Sequence, residues 1–140
     1  MSGPPRALLD TDTLSYIRRG DPPVWRHAKT YLDYHARFTF SEITRYEILR
    51  GLLAAKASAQ ITAFTEFCEA SEVVPVERQD LERAAQIWAD LKLSGQLMSD
   101  ADIIIAATAH RRGLAVVSHN LAHFSRIAGL QGVDWAAPPR

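Results

Sequence analysis

Residues 99–117, Ser-Asp-Ala-Asp-Ile-Ile-Ile-Ala-Ala-Thr-Ala-His-Arg-Arg-Gly-Leu-Ala-Val-Val, decide the fold. Ile103, Ile104, Ile105, Ala106, Ala107 and Ala109 are apolar nearly all round a helix, so that helix is buried. Gly113 ends it, and residues 114–117 then read as an interior strand. The same alternation recurs on the amino-terminal side. Ala7, Leu8 and Leu9 form a short apolar run that ends in Asp10-Thr11-Asp12-Thr13, side chains suited to a strand end and a helix start. After Gly20-Asp21-Pro22-Pro23, residues 24–35 have helical character and residues 37–40 alternate around aromatics like a strand. Ser41 is an N-cap for a helix carrying Ile43, Tyr46, Leu49 and Leu53 at helical spacing, and residues 57–70 make another. Residues 73–76 are a short strand interrupted by Pro75, and residues 81–93 an amphipathic helix stopped by Gly95. Strands separated by helices of this length predict an α/β fold. The expected architecture is a three-layer α/β/α sandwich with a central parallel sheet of four to five short strands and right-handed crossovers.

The 140 residues, 47% of them hydrophobic, suffice for a single domain over 1–140, with flexible ends at 1–5 and 136–140 next to the proline pairs Pro4-Pro5 and Pro138-Pro139. Sixteen basic side chains balance sixteen acidic ones, which excludes a polybasic, tail-driven binder; an anionic partner needs a local basic patch. The one cysteine, Cys68, allows neither an intramolecular disulfide nor a thiolate cluster and suits a reducing cytoplasm. No apolar run approaches the roughly 18 residues that span a bilayer, and no secretory leader is visible, so the expected location is cytoplasmic with no membrane partner.

In an alternating α/β chain, ligands gather where strands end, so acids there are informative. Asp10 directly follows the first strand, with Asp12 two residues on; either equally caps the next helix. Glu47 borders the apolar stripe of its helix, and a solvated surface role fits that position too. Asp102 stacks beneath Ile105, Ala106 and Ala109 on a buried face, although Ser99 and Asp102 also have the spacing of a capping box. Asp100 suits a first-turn residue favoured by the helix dipole. Carboxylates that converge repel unless a cation or proton lies between them, and oxygen donors without Cys or paired His favour Mg²⁺ or Mn²⁺. The usual substrate of such a site is a phosphate ester.

Taken in order, Leu-Leu-Asp-Thr-Asp-Thr-Leu at 8–14, Ser-Glu-Ile-Thr-Arg-Tyr-Glu-Ile-Leu-Arg-Gly at 41–51, Asp-Ile-Ile-Ile-Ala-Ala-Thr-Ala at 102–109, residues 114–130 and Val-Asp-Trp at 133–135 resemble a PIN domain of the VapC type, the toxin ribonucleases of toxin–antitoxin pairs. The resemblance implies that Asp10, Glu47 and Asp102 are the principal acids of a metal site, with Ser118 a supporting hydroxyl. Two departures bear on this: Asp12 stands where the family usually has Asn, and a fourth acid is missing from Ser118-His119-Asn120-Leu121-Ala122-His123-Phe124. Asn120 could orient a ligand or water there, and His119 and His123 suit the rim.

The expected function is a Mg²⁺-dependent endoribonuclease. Asp10 and Asp102 hold the ion (Mn²⁺ is an alternative), and Glu47 either ligates it or orients the attacking water. By resemblance the RNA is single-stranded or a loop, tRNA included, and a cognate antitoxin covers the cleft. Arg18, Arg19, Arg45 and Arg50 are the candidate RNA contacts; Arg111 and Arg112 are others, or they complement their helix C-terminus. Tyr16, Ile17, Leu49, Leu52 and Leu53 would serve a homodimer, the antitoxin or the core. Two rival readings remain. Asp10-Thr11-Asp12 after a strand, with Thr39 near the end of the next, resembles a haloacid-dehalogenase-like phosphatase, although the chain is short for that class and its late acids precede an apolar run. The missing fourth acid fits a catalytically silent RNA- or protein-binding module.

Overall fold

The computed structural model describes residues 3–136 and places Ala7–Leu9 as β1, the middle strand of a five-stranded sheet. The other strands are β2 (Thr39–Ser41), β3 (Glu72–Val74), β4 (Ala115–Val117) and β5 (Gly132–Val133), all parallel, in the order β3-β2-β1-β4-β5. Leu8 lies opposite Thr39 on one side and Val116 on the other. Parallel neighbours need crossovers, and helices supply them. Between β1 and β2 run α1 (Thr11–Arg19) and α2 (Pro22–Tyr34); between β2 and β3, α3 (Glu42–Ala54) and α4 (Ser58–Glu69). Between β3 and β4 come α5 (Arg78–Leu93) and α6 (Asp100–Arg111), and α7 (Leu121–Phe124) precedes β5.

Because side chains alternate along a strand, the sheet divides the core in two. Ala7, Leu9, Ala115 and Val117 face Leu14, Val24, Tyr31 and Phe64 of α1, α2 and α4. Leu8, Val116 and Val74 face Ile87, Leu91, Ile103 and Ala106 of α5 and α6, with Phe124 of α7. This is the three-layer arrangement expected from the sequence. The buried Tyr31 hydroxyl also accepts the Ala7 N–H at 3.2 Å, which fixes the start of β1. Among the described residues no helix is long and apolar enough to cross a membrane.

Several boundaries moved for local reasons. β2 extends to Ser41, whose hydroxyl also accepts the Ile43 N–H at 3.1 Å and starts α3. α5 begins at Arg78, ahead of the expected 81, because Glu77 and Asp80 form a capping box built from two acids. α7 and the two-residue β5 carry no apolar periodicity and were not read from the sequence. Of the ends expected to be flexible, 1–2 and 137–140 lie outside the described residues. The Pro4 carbonyl bonds to His35 Nε2 at 2.6 Å, and the Ala136 N–H donates to Asp134 at 2.8 Å.

Arg111 and Arg112 have structural partners. Arg111 Nε donates to the buried Asp80 at 2.6 Å and Arg112 to Glu77 at 2.9 Å, joining the end of α6 to the start of α5. They share a hollow with Arg6, Thr39 and Leu114, at the edge where β1, β2 and β4 begin. Burial pushes the Asp80 carboxyl up, but hydrogen bonds from Arg111 and the Glu77 backbone and the charges of both arginines outweigh it, leaving it below its ordinary 3.8. A depressed carboxyl stabilises the fold above its unfolded value, and that contribution is lost as pH falls through the folded value. Arg111→Met should therefore lower stability in urea unfolding at neutral pH, by removing the cation bonded to the Asp80 carboxylate. The difference from wild type should shrink as pH drops below about 4; a difference independent of pH would show that the ion pair is not its source.

Candidate active site

The chain crosses from β1 to β2 on one side and later inserts β4 on the other, so the strand order reverses between β1 and β4. The carboxyl ends of strands at such a reversal open a crevice. Asp10 follows β1 directly and Ser118 follows β4, and both are buried. The Asp10 N–H donates to the Val117 carbonyl at 3.0 Å, and the Thr13 hydroxyl donates to the same oxygen at 3.2 Å. Asp10 is also the N-cap of α1, its Oδ1 accepting the Thr13 N–H at 2.9 Å. The residue is only 3% exposed. Burial pushes this carboxyl above its ordinary value; hydrogen bonds from Ser118 and Thr13 offset part of the rise, and the charge of Asp12 adds to it.

Asp102 is half-buried in the first turn of α6, where Ser99 Oγ accepts its backbone N–H at 3.2 Å. Its carboxyl is also raised, chiefly by burial. The Ser99 side chain and His123 lower it, whereas the charges of Glu47 and Asp12 push it further up. The carboxylates of Asp12, Glu47 and Asp102 thus share one electrostatic neighbourhood, and Asp12 couples it to Asp10. Glu47 enters from α3, which packs against both α1 and α6. The Thr11 hydroxyl donates to Glu47 Oε1 at 2.6 Å, and Arg50 stands 3.6 Å from Oε2.

The remaining candidates separate by helix face. Asp12 is exposed, beside the buried Asp10 and the half-buried Asp102. Ser118 Oγ accepts the Asn120 N–H at 2.9 Å, while the exposed Asn120 side chain makes no capping bond. Arg18 and Arg19 line a groove of about 590 Å³ with Thr11, Ser15 and Glu47. Arg18 lies over the Phe64 ring at 4.8 Å, and Arg50 over Tyr46 at 5.1 Å. Arg45 points elsewhere: it pairs with Glu42 at 2.6 Å and lines a separate hollow with Phe64 and Cys68. Thr39 is the first residue of β2 and donates to Glu72 at 2.8 Å. It sits at the opposite strand end from Asp10, so the phosphatase-like pairing does not form. Ile17 is core, Tyr16, Leu49 and Leu52 are partly buried, and Leu53 is 57% exposed.

Sequence reasoning missed the threonines. Thr11 orients Glu47 and bonds to Thr44 at 3.2 Å, and Thr13 ties Asp10 to β4. The available signal was a hydroxyl residue on either side of Asp12, directly after an acid-ended strand. Among the described residues, no three His, Cys, Asp or Glu side chains already stand close enough to surround a metal ion. The donor chemistry nevertheless fits a hard divalent cation: Asp10 and Asp102 are desolvated carboxylates whose bonding partners are hydroxyls and backbone N–H groups, and no basic side chain among the described residues is bonded to either.

The PIN domain family model matches residues 7–130. The tRNA(fMet)-specific endonuclease VapC of Salmonella typhimurium is 32% identical over 130 residues, covering 91% of this chain and 96% of that protein. Ribonuclease VapC1 of Haemophilus influenzae is 28% identical over the same shares of the two chains. Of solved structures, the DNA-bound VapBC of Salmonella typhimurium superposes with a TM-score of 0.82 at 30% identity, over 94% of this chain and 99% of that one. VapBC2 of Rickettsia felis, bound to a promoter DNA fragment, reaches the same TM-score at 18% identity over 92% and 98% of the chains, a likeness of fold. The order of strands, the acids at the β1/β4 crevice and these relatives agree: the chain belongs to the PIN-domain family, and within it to the VapC ribonucleases.

Proposed function

We propose that this ribonuclease is a divalent-metal-dependent endonuclease and the toxin of a toxin–antitoxin pair, with Asp10 and Asp102 as its metal-holding carboxylates. The observation that carries the reading is Asp10: a residue only 3% exposed, its carboxyl raised by burial and by the charge of Asp12, and bonded to no basic side chain among the described residues. When bound, a Mg²⁺ or Mn²⁺ ion supplies charge neutralisation for these acids and polarises the phosphodiester and a water. Glu47 orients the attacking water through Oε2, since Oε1 is occupied by the Thr11 hydroxyl and the Arg50 contact is long. Ser118 holds Asp10 in place, and Asp12 and Asn120 border the site from α1 and α7.

The substrate in this reading is single-stranded or loop RNA, whose backbone bends into an acid-lined cleft more readily than a duplex does. The Salmonella relative's name makes tRNA the first candidate. Arg18, Arg19 and Arg50 offset the acid field locally. The structural relatives are VapBC assemblies, which supports a cognate antitoxin as partner. An amphipathic segment carrying an Arg would suit the groove beside Glu47, competing for the carboxylates. The homodimer expected from the sequence belongs to the same proposal, supported by the apolar strip that Tyr46 and Leu53 leave open on α3, and so does a cytoplasmic location.

Two outcomes test it. Asn is as good an N-cap as Asp and keeps the bond to Thr13, so Asp10→Asn should fold, as should Asp102→Asn. Each should lose about a hundred-fold or more of Mg²⁺-dependent RNA cleavage; full activity in either variant removes that residue from the site. The second outcome is a pH dependence. A carboxyl raised in the folded state stabilises the fold fully below its unfolded value of 3.8, and this contribution is lost as pH rises through the folded value. Metal-free wild type should therefore lose melting temperature relative to Asp10→Asn as pH rises above about 4. Mn²⁺ should restore it in wild type only, increasingly so with pH, because ligands must be deprotonated to bind. An equal effect of Mn²⁺ on both proteins would contradict the assignment of Asp10.

A further inference from the structure

The α1 helix presents two stripes that begin at the acid crevice. Thr11, Ser15 and Arg18 are spaced i, i+4, i+7 and line the groove beside Glu47. Asp12, Tyr16 and Arg19 have the same spacing on a neighbouring face, so one stripe runs from a carboxylate through an aromatic ring to a cation. On that second stripe the Tyr16 ring meets the imidazole of His119, with centroids 4.3 Å apart and planes tilted by 41°. The Arg19 guanidinium lies 4.7 Å from the Tyr16 centroid.

His119 is the residue after Ser118, whose side chain bonds to Asp10, so the ring pair adjoins the acids. The imidazole is held in place. A carboxylate only accepts hydrogen bonds, so His119 Nδ1 donates to Asp134 Oδ1 at 3.2 Å, and that oxygen also accepts the Ala136 N–H at 2.8 Å. The His119 side chain still keeps 21% of its surface in solvent. An oriented, partly exposed ring beside a phosphodiester-cutting crevice, with a cation one turn further on, is the composition of a single-strand nucleotide platform: a π-face for a base and a guanidinium for a phosphate.

We propose that the Tyr16–His119 pair stacks the base of a nucleotide flanking the scissile bond, with Arg19, at the rim of the neighbouring groove, receiving the next phosphate, so that these residues position RNA along the face of α1 next to that groove. The inference rests on the ribonuclease reading and adds to it a binding register. His119 acts here through its ring face.

The test uses a short single-stranded RNA spanning a bond that the wild-type protein cuts, with 2-aminopurine placed at either nucleotide next to that bond. Bound to Asp102→Asn protein, one of the two probes should lose fluorescence by stacking. That quenching should vanish in His119→Ala and persist in His119→Phe, which keeps a ring face without the imidazole nitrogens. In otherwise wild-type protein, His119→Ala should raise KM roughly five-fold or more while lowering kcat less, and His119→Phe should recover most of that loss. Tyr16→Leu, which preserves bulk against the core, should behave like His119→Ala. A lowered melting temperature in His119→Ala with unchanged KM and quenching would reduce the pair to a latch for the 134–136 segment and overturn the proposal. Equal impairment of His119→Phe and His119→Ala would overturn it as well, since the ring face would not be the operative feature. Failure of the wild type to cut any RNA would instead sink the ribonuclease reading itself.

Discussion

A carboxylate buried without a cation is costly, and among the described residues Asp10 is such a group. It is held there by obligations that have nothing to do with catalysis. Its backbone N–H completes the junction of β1 with β4, and its side chain caps α1. Thr13 reinforces both by bonding the Val117 carbonyl and the Asp10 carboxylate. The same residue that closes the central strand pair is therefore forced into the crevice where the strand order reverses. The remainder of the site follows from which helices flank that point: α3 brings Glu47 against Thr11, and the start of α6 brings Asp102 within reach of the other charges.

The two faces of α1 give the crevice its directionality. One continues into a groove with Arg18 and Glu47, the other into the Tyr16–His119 stack, and Arg19 stands where the two meet, beside the Tyr16 ring and in the groove wall. With a formal net charge of zero, the molecule has no global attraction for RNA, so local cations beside the acids must do that work. Arg111 and Arg112, which look equivalent by residue type, are instead committed to Glu77 and Asp80 at the other end of the strands.

Much of this was legible because the signals are local. The apolar runs at 7–9 and 114–117, the helix buried nearly all round at 103–109 and the caps at Ser41 and Ser99 each depend on neighbours in sequence. From them the layers follow, and with the layers the strand-end position of Asp10. What stayed illegible depends on distant partners. The pairing of Arg45 with Glu42 three residues earlier is local, but nothing near Arg45 states that this helix face turns toward Phe64 and Cys68 of α4, away from the groove. Thr39 could not be assigned to the start of its strand until the register with Glu72 was known. β5 has too few residues and too little burial to show a period, and His119 gains meaning only when Asp134 and Tyr16 converge on it. The acidic capping box of α5 was readable in principle from the three-residue spacing of Glu77 and Asp80, but Glu is not among the residues favoured at an N-cap.

In the proposed arrangement one shared divalent ion resolves the field of these carboxylates. Anomalous scattering from a crystal of the protein grown with Mn²⁺ tests it most directly. The expected result is a manganese peak within about 2.2 Å of oxygens from both Asp10 and Asp102, a normal distance for a small hard cation bound to carboxylate oxygen. Manganese bound only elsewhere, or to one of the two acids while the other stays bonded to protein alone, would contradict the account.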